Sequence, residues 1–211
     1  MLSASTPPGT LSAVTVARPY HHGNLREALL CAGEGALETG GVQGLSLREL
    51  AREVGVSHAA PRRHFPDRQA LLDALAESGF ARLGAALSEA VAAAGPHFDA
   101  RLAGLARAYI AFATARPALT GLMFAAKHQA GAPPSLRAAA EQAFSPALTA
   151  VAEGQTAGEV APGDPERVAL VASAALQGIV VMANNGMLGE TPVDELLDDV
   201  TSRLVLGLRP R

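Results

Sequence analysis

Apolar residues recur at helical spacing along most of the chain, and glycine and proline mark the breaks between these runs. Leu25, Ala28, Leu29, Ala32 and Ala36 share one helical face. Asn24-Leu25-Arg26-Glu27 opens this helix as a capping box, with Glu27 reaching back to the Asn24 amide, and Gly40-Gly41 stops it near Thr39. Ser46-Leu47-Arg48-Glu49 is a second capping box, and the short helix it starts turns Leu47, Leu50, Ala51 and Val54 inward. Gly55 stands where a helix end needs a left-handed residue, and Val56 fills the angle to the next element. Ser57 caps a third helix that ends at Pro66-Asp67. Pro61 disturbs that helix. With Ser57 as cap, Pro61 lacks the N–H that the Ser57 carbonyl would accept from; with His58 as cap, Pro61 falls harmlessly in the first turn. A late start or a local distortion is therefore predicted.

From Asp67 a fourth helix carries Leu71, Leu75, Leu83 and Leu87, and reads as the link between two halves of the chain. Leu102, Leu105, Tyr109 and Phe112 continue the pattern to a stop at Arg116-Pro117. A short apolar segment follows through Leu119, Leu122, Met123 and Phe124, then a loop at Gly131-Ala132-Pro133-Pro134. Three further helices are predicted over roughly 135–153, 165–184 and 192–207. The sum is an all-α chain of about nine helices, without repeats or strand-like alternation.

Composition adds to this picture. Nearly half of the residues are hydrophobic, yet Trp is absent and aromatics are few, so the core is built from many Ala and Leu contacts. Residues 1–19 mix Ser, Thr, Pro and Gly and lack a secretion signal, which reads as a disordered tail. The single cysteine, Cys31, lies among Ala and Leu and is expected to be a buried small hydrophobe rather than a redox sensor. No stretch is read as long and apolar enough to cross a bilayer, and a cytoplasmic, membrane-free protein is expected.

The net charge of −3 excludes a chain that is basic throughout. Between Arg18 and Arg68 seven arginines face five glutamates and one aspartate, but Arg62, Arg63 and Arg68 cluster with His58 and His64. Two short helices joined by a glycine turn, the second ending in these cations, match the geometry that lays a recognition helix in the major groove. The motif spans Ser46–Phe65.

The run from Leu45 through Ser46, Arg48, Gly55, Ser57-His58-Ala59-Ala60-Pro61-Arg62-Arg63-His64-Phe65 to Arg68 and Leu72 resembles the DNA-binding domain of the TetR family of repressors, over residues 23–83. The resemblance implies that Ser57–Phe65 is the recognition helix and that His58, Ala59 and Ala60 face base edges. It further implies phosphate contacts from Ser46, Arg62, His64 and Arg68, with Arg48 and Ser57 on the same surface. Arg63 suits base or phosphate equally. Pro61 stands where Leu is usual and Arg62 where Tyr is usual, which adds charge to the phosphate contact. The second half is similar to the family's ligand-binding and dimerisation region, agreeing best with a subgroup that carries Trp-His-Gly where this chain has Leu176-Gln177-Gly178. A homodimer packed through the last two helices, reading a palindromic operator in double-stranded DNA, is implied.

The division expected is a helix-turn-helix domain over 20–66 and an effector-binding and dimerisation domain over 67–211. Tyr109, Phe112, Met123, Phe124, Phe144 and Gln177 are candidates to line a pocket for a small apolar or amphipathic effector, as against plain core. His21-His22 makes a poor metal site, since adjacent histidines do not readily chelate one ion and no carboxylate or cysteine cluster accompanies them; an arm that contacts DNA or is disordered is expected instead. No metal, no cofactor and no enzyme activity are expected, since nucleophile elbow, metal spacing and phosphate loop are all missing. The sequence thus points to a DNA-binding transcription regulator, a repressor released by a small molecule. The alternative is a regulator that has no effector or answers to a protein partner.

Overall fold

The computed structural model describes residues 25–210, so the tail, His21-His22 and the Asn24 cap lie outside the described residues. The described residues form eight α-helices and two 3₁₀ turns, against about nine helices predicted, and no strand. The helices are α1 (Leu25–Gly40), α2 (Leu47–Val54), α3 (Arg68–Ala94), α4 (Phe98–Ala115), α5 (Pro117–His128), α6 (Pro134–Thr156), α7 (Pro165–Asn184) and α8 (Val193–Leu208).

α1 buries Leu29, Gly33 and Leu37 at four-residue spacing. Cys31 points away from that stripe and is exposed, which corrects its assignment to the core. Ser46 takes the extended N-cap conformation before α2, but its side chain makes no capping bond. The capping box is therefore not formed there. Gly55 does end α2 in the left-handed region at φ 76°, as the spacing required.

Asp67 caps α3 by accepting from the Ala70 N–H at 2.8 Å. α3 runs 27 residues and buries Leu71, Leu72, Leu75, Phe80, Leu83 and Leu87, so it serves as the spine against which α4, α5 and α6 pack. One continuous apolar core runs from Leu29 and Phe65 at the DNA-binding end to Leu197 in α8.

Two helices of this body are capped from far along the chain. The Glu159 carboxylate accepts from the Phe98 N–H at 2.6 Å at the start of α4 and pairs with the His97 ring at 3.1 Å. These bonds, that from the Phe98 amide first, hold its carboxyl below the usual range. Glu38 of α1 does the same at α5, accepting from the Ala118 N–H at 3.2 Å and the Leu119 N–H at 2.9 Å.

α7 corrects a second expectation, because its 20 residues are long and apolar enough, by length and composition alone, to cross a membrane. Only 22% of its most apolar window is buried. Ala172, Leu176, Ile179 and Val180 face the body, while Leu170, Val171, Val181 and Met182 on the other side are also apolar and exposed. The sequence pattern hid this because interspersed Ser, Gln and Gly dilute the apolar run.

Candidate nucleic-acid interface and ligand cavity

Between α2 and α3 the chain forms turns rather than a third α-helix, and Pro61 is the reason. Pro61 cannot donate to the Ser57 carbonyl, which accepts instead from the Ala60 N–H at 3.0 Å. A single 3₁₀ turn, Pro61–Arg63, follows. It closes with the His64 and Phe65 N–H groups both donating to the Pro61 carbonyl, at 3.0 and 2.9 Å. Pro61 and Phe65 are buried and anchor the segment, and the Arg26 guanidinium lies 5.6 Å from the Phe65 ring centroid. The predicted distortion is present, and it removes the recognition helix as a regular element.

The distortion still leaves most of the predicted residues exposed, and it brings four of them, Arg48, His58, Ala59 and Arg62, together. Ser57, His58, Ala59, Arg62, Arg63 and His64 are exposed, Ala60 is half-buried, and a shallow groove is bounded by Leu47, Arg48, His58, Ala59 and Arg62. Among the described residues Arg48, Arg62 and Arg63 have no carboxylate partner. Their charge is thus available to an anionic surface. Ser46 is half-buried beside them. Arg68 is placed differently: its guanidinium turns inward, donating from Nε to the Leu45 carbonyl at 3.1 Å and from Nη2 to the Val42 carbonyl. It ties the Val42–Gly44 turn to α3, a role that spacing alone did not suggest.

A cavity of about 340 Å³ opens in the other half, between α4, α5, α6 and α7. Phe124, Phe144, Leu105 and Leu176 give it apolar walls. The Tyr109 hydroxyl donates to Gln177 Oε1 at the wall, and burial pushes the Tyr109 phenol up to about 12. Lys127 enters from α5, with Nζ 4.7 Å from the Phe124 ring centroid and 5.6 Å from that of Phe144. Its burial lowers the ammonium pKa. Pro146 interrupts the ladder of α6 beside Phe144 and Ala147, and the Gln142 carbonyl it leaves unpaired accepts from the Ser145 hydroxyl at 2.9 Å.

Residues 29–75 match the family described as bacterial regulatory proteins, tetR family, and residues 102–205 match the tetracyclin repressor-like C-terminal domain. The chain belongs to the TetR family. It is therefore a DNA-binding transcription regulator, as the motif implied, and TetR-family regulators bind DNA typically as dimers and are in general not enzymes. The Trp-His-Gly subgroup is not borne out. Among solved structures the chain is similar to a protein of unknown function from Rhodococcus sp. RHA1, at 51% identity and a TM-score of 0.86, covering 92% of this chain and 100% of that one. It also shares the fold of a TetR family transcription regulator from Marinobacter aquaeolei VT8, at 20% identity and a TM-score of 0.72, covering 88% and 96%. The TetR family regulator PfmR from Thermus thermophilus shares it at 17% identity and a TM-score of 0.65, covering 86% and 99%. No curated protein matches the chain.

Of the six pocket candidates in this TetR-family chain, Tyr109, Phe124, Phe144 and Gln177 line the cavity. Phe112 and Met123 do not. Phe112 is buried under the Arg116 guanidinium, and Met123 packs where Gly79 leaves α3 without a side chain. Lys127 and His128 line the cavity and were missed by the sequence reading. A signal was present: Lys127 is the only lysine of the chain, and it closes an apolar run in the last turn of α5. No group of three metal-ligating side chains occurs among the described residues.

Proposed function

We propose that this TetR-family protein is a homodimeric repressor whose hold on a palindromic operator is released when a small molecule fills the cavity between α4 and α7. The cavity carries this reading. An effector-free regulator needs its C-terminal half only for dimerisation and predicts a packed core there, whereas about 340 Å³ of apolar-walled space with a few polar groups has the make-up of a small-molecule site. The cavity also shares α5 with the Glu38 cap, so a ligand that moves α5 acts directly on α1 at the DNA-binding end. We divide the chain accordingly into a DNA-binding part over 20–66 and a ligand-binding and dimerisation part over 67–211, acting in the cytoplasm without cofactor or catalysis.

On the DNA side, Arg48, Arg62, Arg63 and His64 hold phosphates, while His58, Ala59 and Ala60 meet base edges. Ser46 and Ser57 flank these contacts, and Arg68 shapes the loop that presents them. The exposed apolar side chains Leu170, Val181 and Leu206 of α7 and α8 supply the self-complementary face that a two-fold dimer needs. The test is fluorescence anisotropy with the duplex that flanks the protein's own gene, across a salt series. Specific binding that weakens steeply with salt supports the reading; equal affinity for that duplex and a scrambled one overturns it.

A further inference from the structure

We propose that the cavity selects an amphipathic monocarboxylate, its carboxylate paired with Lys127 and its apolar body lying against Phe124, Phe144 and Leu105. The proposal rests on the reading of the cavity as an effector site and adds the chemistry of the ligand.

The observation that carries it is the placement of the one lysine. A chain that uses arginine for every other permanently charged basic side chain sets its single lysine, half-buried, in the wall of a largely apolar cavity. No acidic side chain lines that cavity, and among the described residues Lys127 forms no ion pair. An ammonium desolvated without a counter-ion is costly, and the faces of two phenyl rings compensate only in part. That burial lowers the Lys127 pKa. A carboxylate entering the cavity supplies the missing charge in a low-dielectric place, where the pair is stronger than in water.

The remaining polar groups point the same way. The Tyr109 hydroxyl is committed to Gln177 Oε1, which leaves the Gln177 amide N–H groups as donors at the wall, and His128 stands on the Lys127 side. Donors in surplus suit a group that only accepts, and an ionised carboxylate is such a group. One lysine with one histidine is too little for a phosphate ester or polyanion, which arginine clusters hold. The volume, about 340 Å³, is near the lower end for small-molecule pockets and suits one compact apolar body.

The test is calorimetric titration of the full chain with matched pairs: decanoate against decan-1-ol, and 3-phenylpropionate against 3-phenylpropan-1-ol. The variants are Lys127→Met, which keeps the unbranched stem, and Lys127→Arg, which keeps the charge. Wild type is expected to bind each acid about tenfold more tightly than its alcohol, or better. Lys127→Met is expected to level each pair while leaving the alcohols unchanged, and Lys127→Arg to retain the preference. Because the chain has one lysine, reductive ¹³C-methylation gives that side chain its own NMR signal. Its titration midpoint is expected to rise when decanoate is bound and to stay when decan-1-ol is bound. Equal binding of acid and alcohol by wild type, or an acid preference that survives in Lys127→Met, overturns the proposal. If none of the four compounds binds, the proposal is overturned; if the acids bind and operator affinity does not change, only the effector reading falls.

Discussion

Glu38 fastens the DNA-binding end to the helix that carries Lys127, and the strength of that fastening can be worked from its geometry. Its carboxylate accepts from the N–H groups of Ala118 at 3.2 Å and Leu119 at 2.9 Å, the second and third residues of α5. That helix opens at Pro117, which has no N–H, after an Arg116 cap whose side chain makes no capping bond. The two amides are thus the orphaned donors of the helix end, and Glu38 satisfies both while setting a negative charge on the positive end of the dipole. A side-chain cap is worth about 0.5–2 kcal/mol and a charge at a helix end about 0.3–1 kcal/mol. Glu38 is exposed, which favours the lower part of these ranges. Glu38→Ala is therefore expected to cost about 1 kcal/mol, and Glu38→Gln, which keeps an acceptor but loses the charge, about half of that. In a chain of this length, 1 kcal/mol lowers Tm by roughly 2–4 °C.

Thermal denaturation followed by circular dichroism checks the order wild type, Glu38→Gln, Glu38→Ala. If α5 passes the ligand's effect to α1, Glu38→Ala also narrows the ratio of operator affinities without and with saturating decanoate, by up to about fivefold. A Glu38→Ala melting point within about 1 °C of wild type refutes the cap. A lowered melting point with an unchanged ratio keeps the cap and refutes the coupling.

Four further outcomes are expected. The Tyr109 phenol, ordinarily at 10.0 and here at about 12, keeps its proton in the fold longer than in the unfolded chain. The fold should therefore lose on the order of 2–3 kcal/mol as the pH rises from just below 10 to above 12, with its full contribution present at neutral pH, and Tyr109→Phe should remove that part of the alkaline drop in Tm. Arg62→Ala should weaken binding to all duplexes alike and reduce the salt slope by about 1, while His58→Ala should change which sequences are preferred; an unchanged salt slope for the first would move Arg62 off the phosphates. A Cβ at Gly84 would lie 3.0 Å from the Ala143 Cα across the α3–α6 contact, so Gly84→Ala should lower stability by about 1 kcal/mol net of its helix propensity, whereas Gly121→Ala, in open space on α5, should raise it by about as much. A higher Tm for Gly84→Ala would mean that the two helices are not in close approach. Val181→Glu with Leu206→Glu should leave the monomer fold intact and halve the mass seen in sedimentation, and a double variant that stays dimeric would exclude this face as the interface.

Helix boundaries were legible because they are written locally. The Gly55 stop, the Asp67 start and the break at Arg116-Pro117 each depend on a residue's own backbone preference, and each fell where the spacing placed it. What local reading could not supply were the bonds made across the chain. The caps of α4 and α5 come from Glu159 and Glu38, 61 and 80 or more residues away, and the inward turn of Arg68 depends on carbonyls at Val42 and Leu45. The second apolar face of α7 escaped for a related reason: a period of 3.6 reveals one stripe, and a helix apolar on both sides shows little amphipathic contrast.

Pro61 shows how far a local rule reaches. The missing N–H dictates that the Ser57 carbonyl finds another donor, and the Ala60 N–H, one residue nearer, is the one the turn brings to it. The rule therefore foretells a distortion but not its outcome, which depends on burial of Pro61 and Phe65 against the rest of the motif. Pro61→Leu restores the donor and an apolar side chain at that buried position, and it should extend the single turn into a regular helix. Such a helix would shift His58 and Ala59 relative to Arg62 and so alter sequence preference more than overall affinity. Hydrogen exchange of the Ala60–Phe65 amides measures the first effect and binding-site selection the second. A Pro61→Leu protein with unchanged exchange in this segment would show that the motif as a whole, and not the proline, sets the turn.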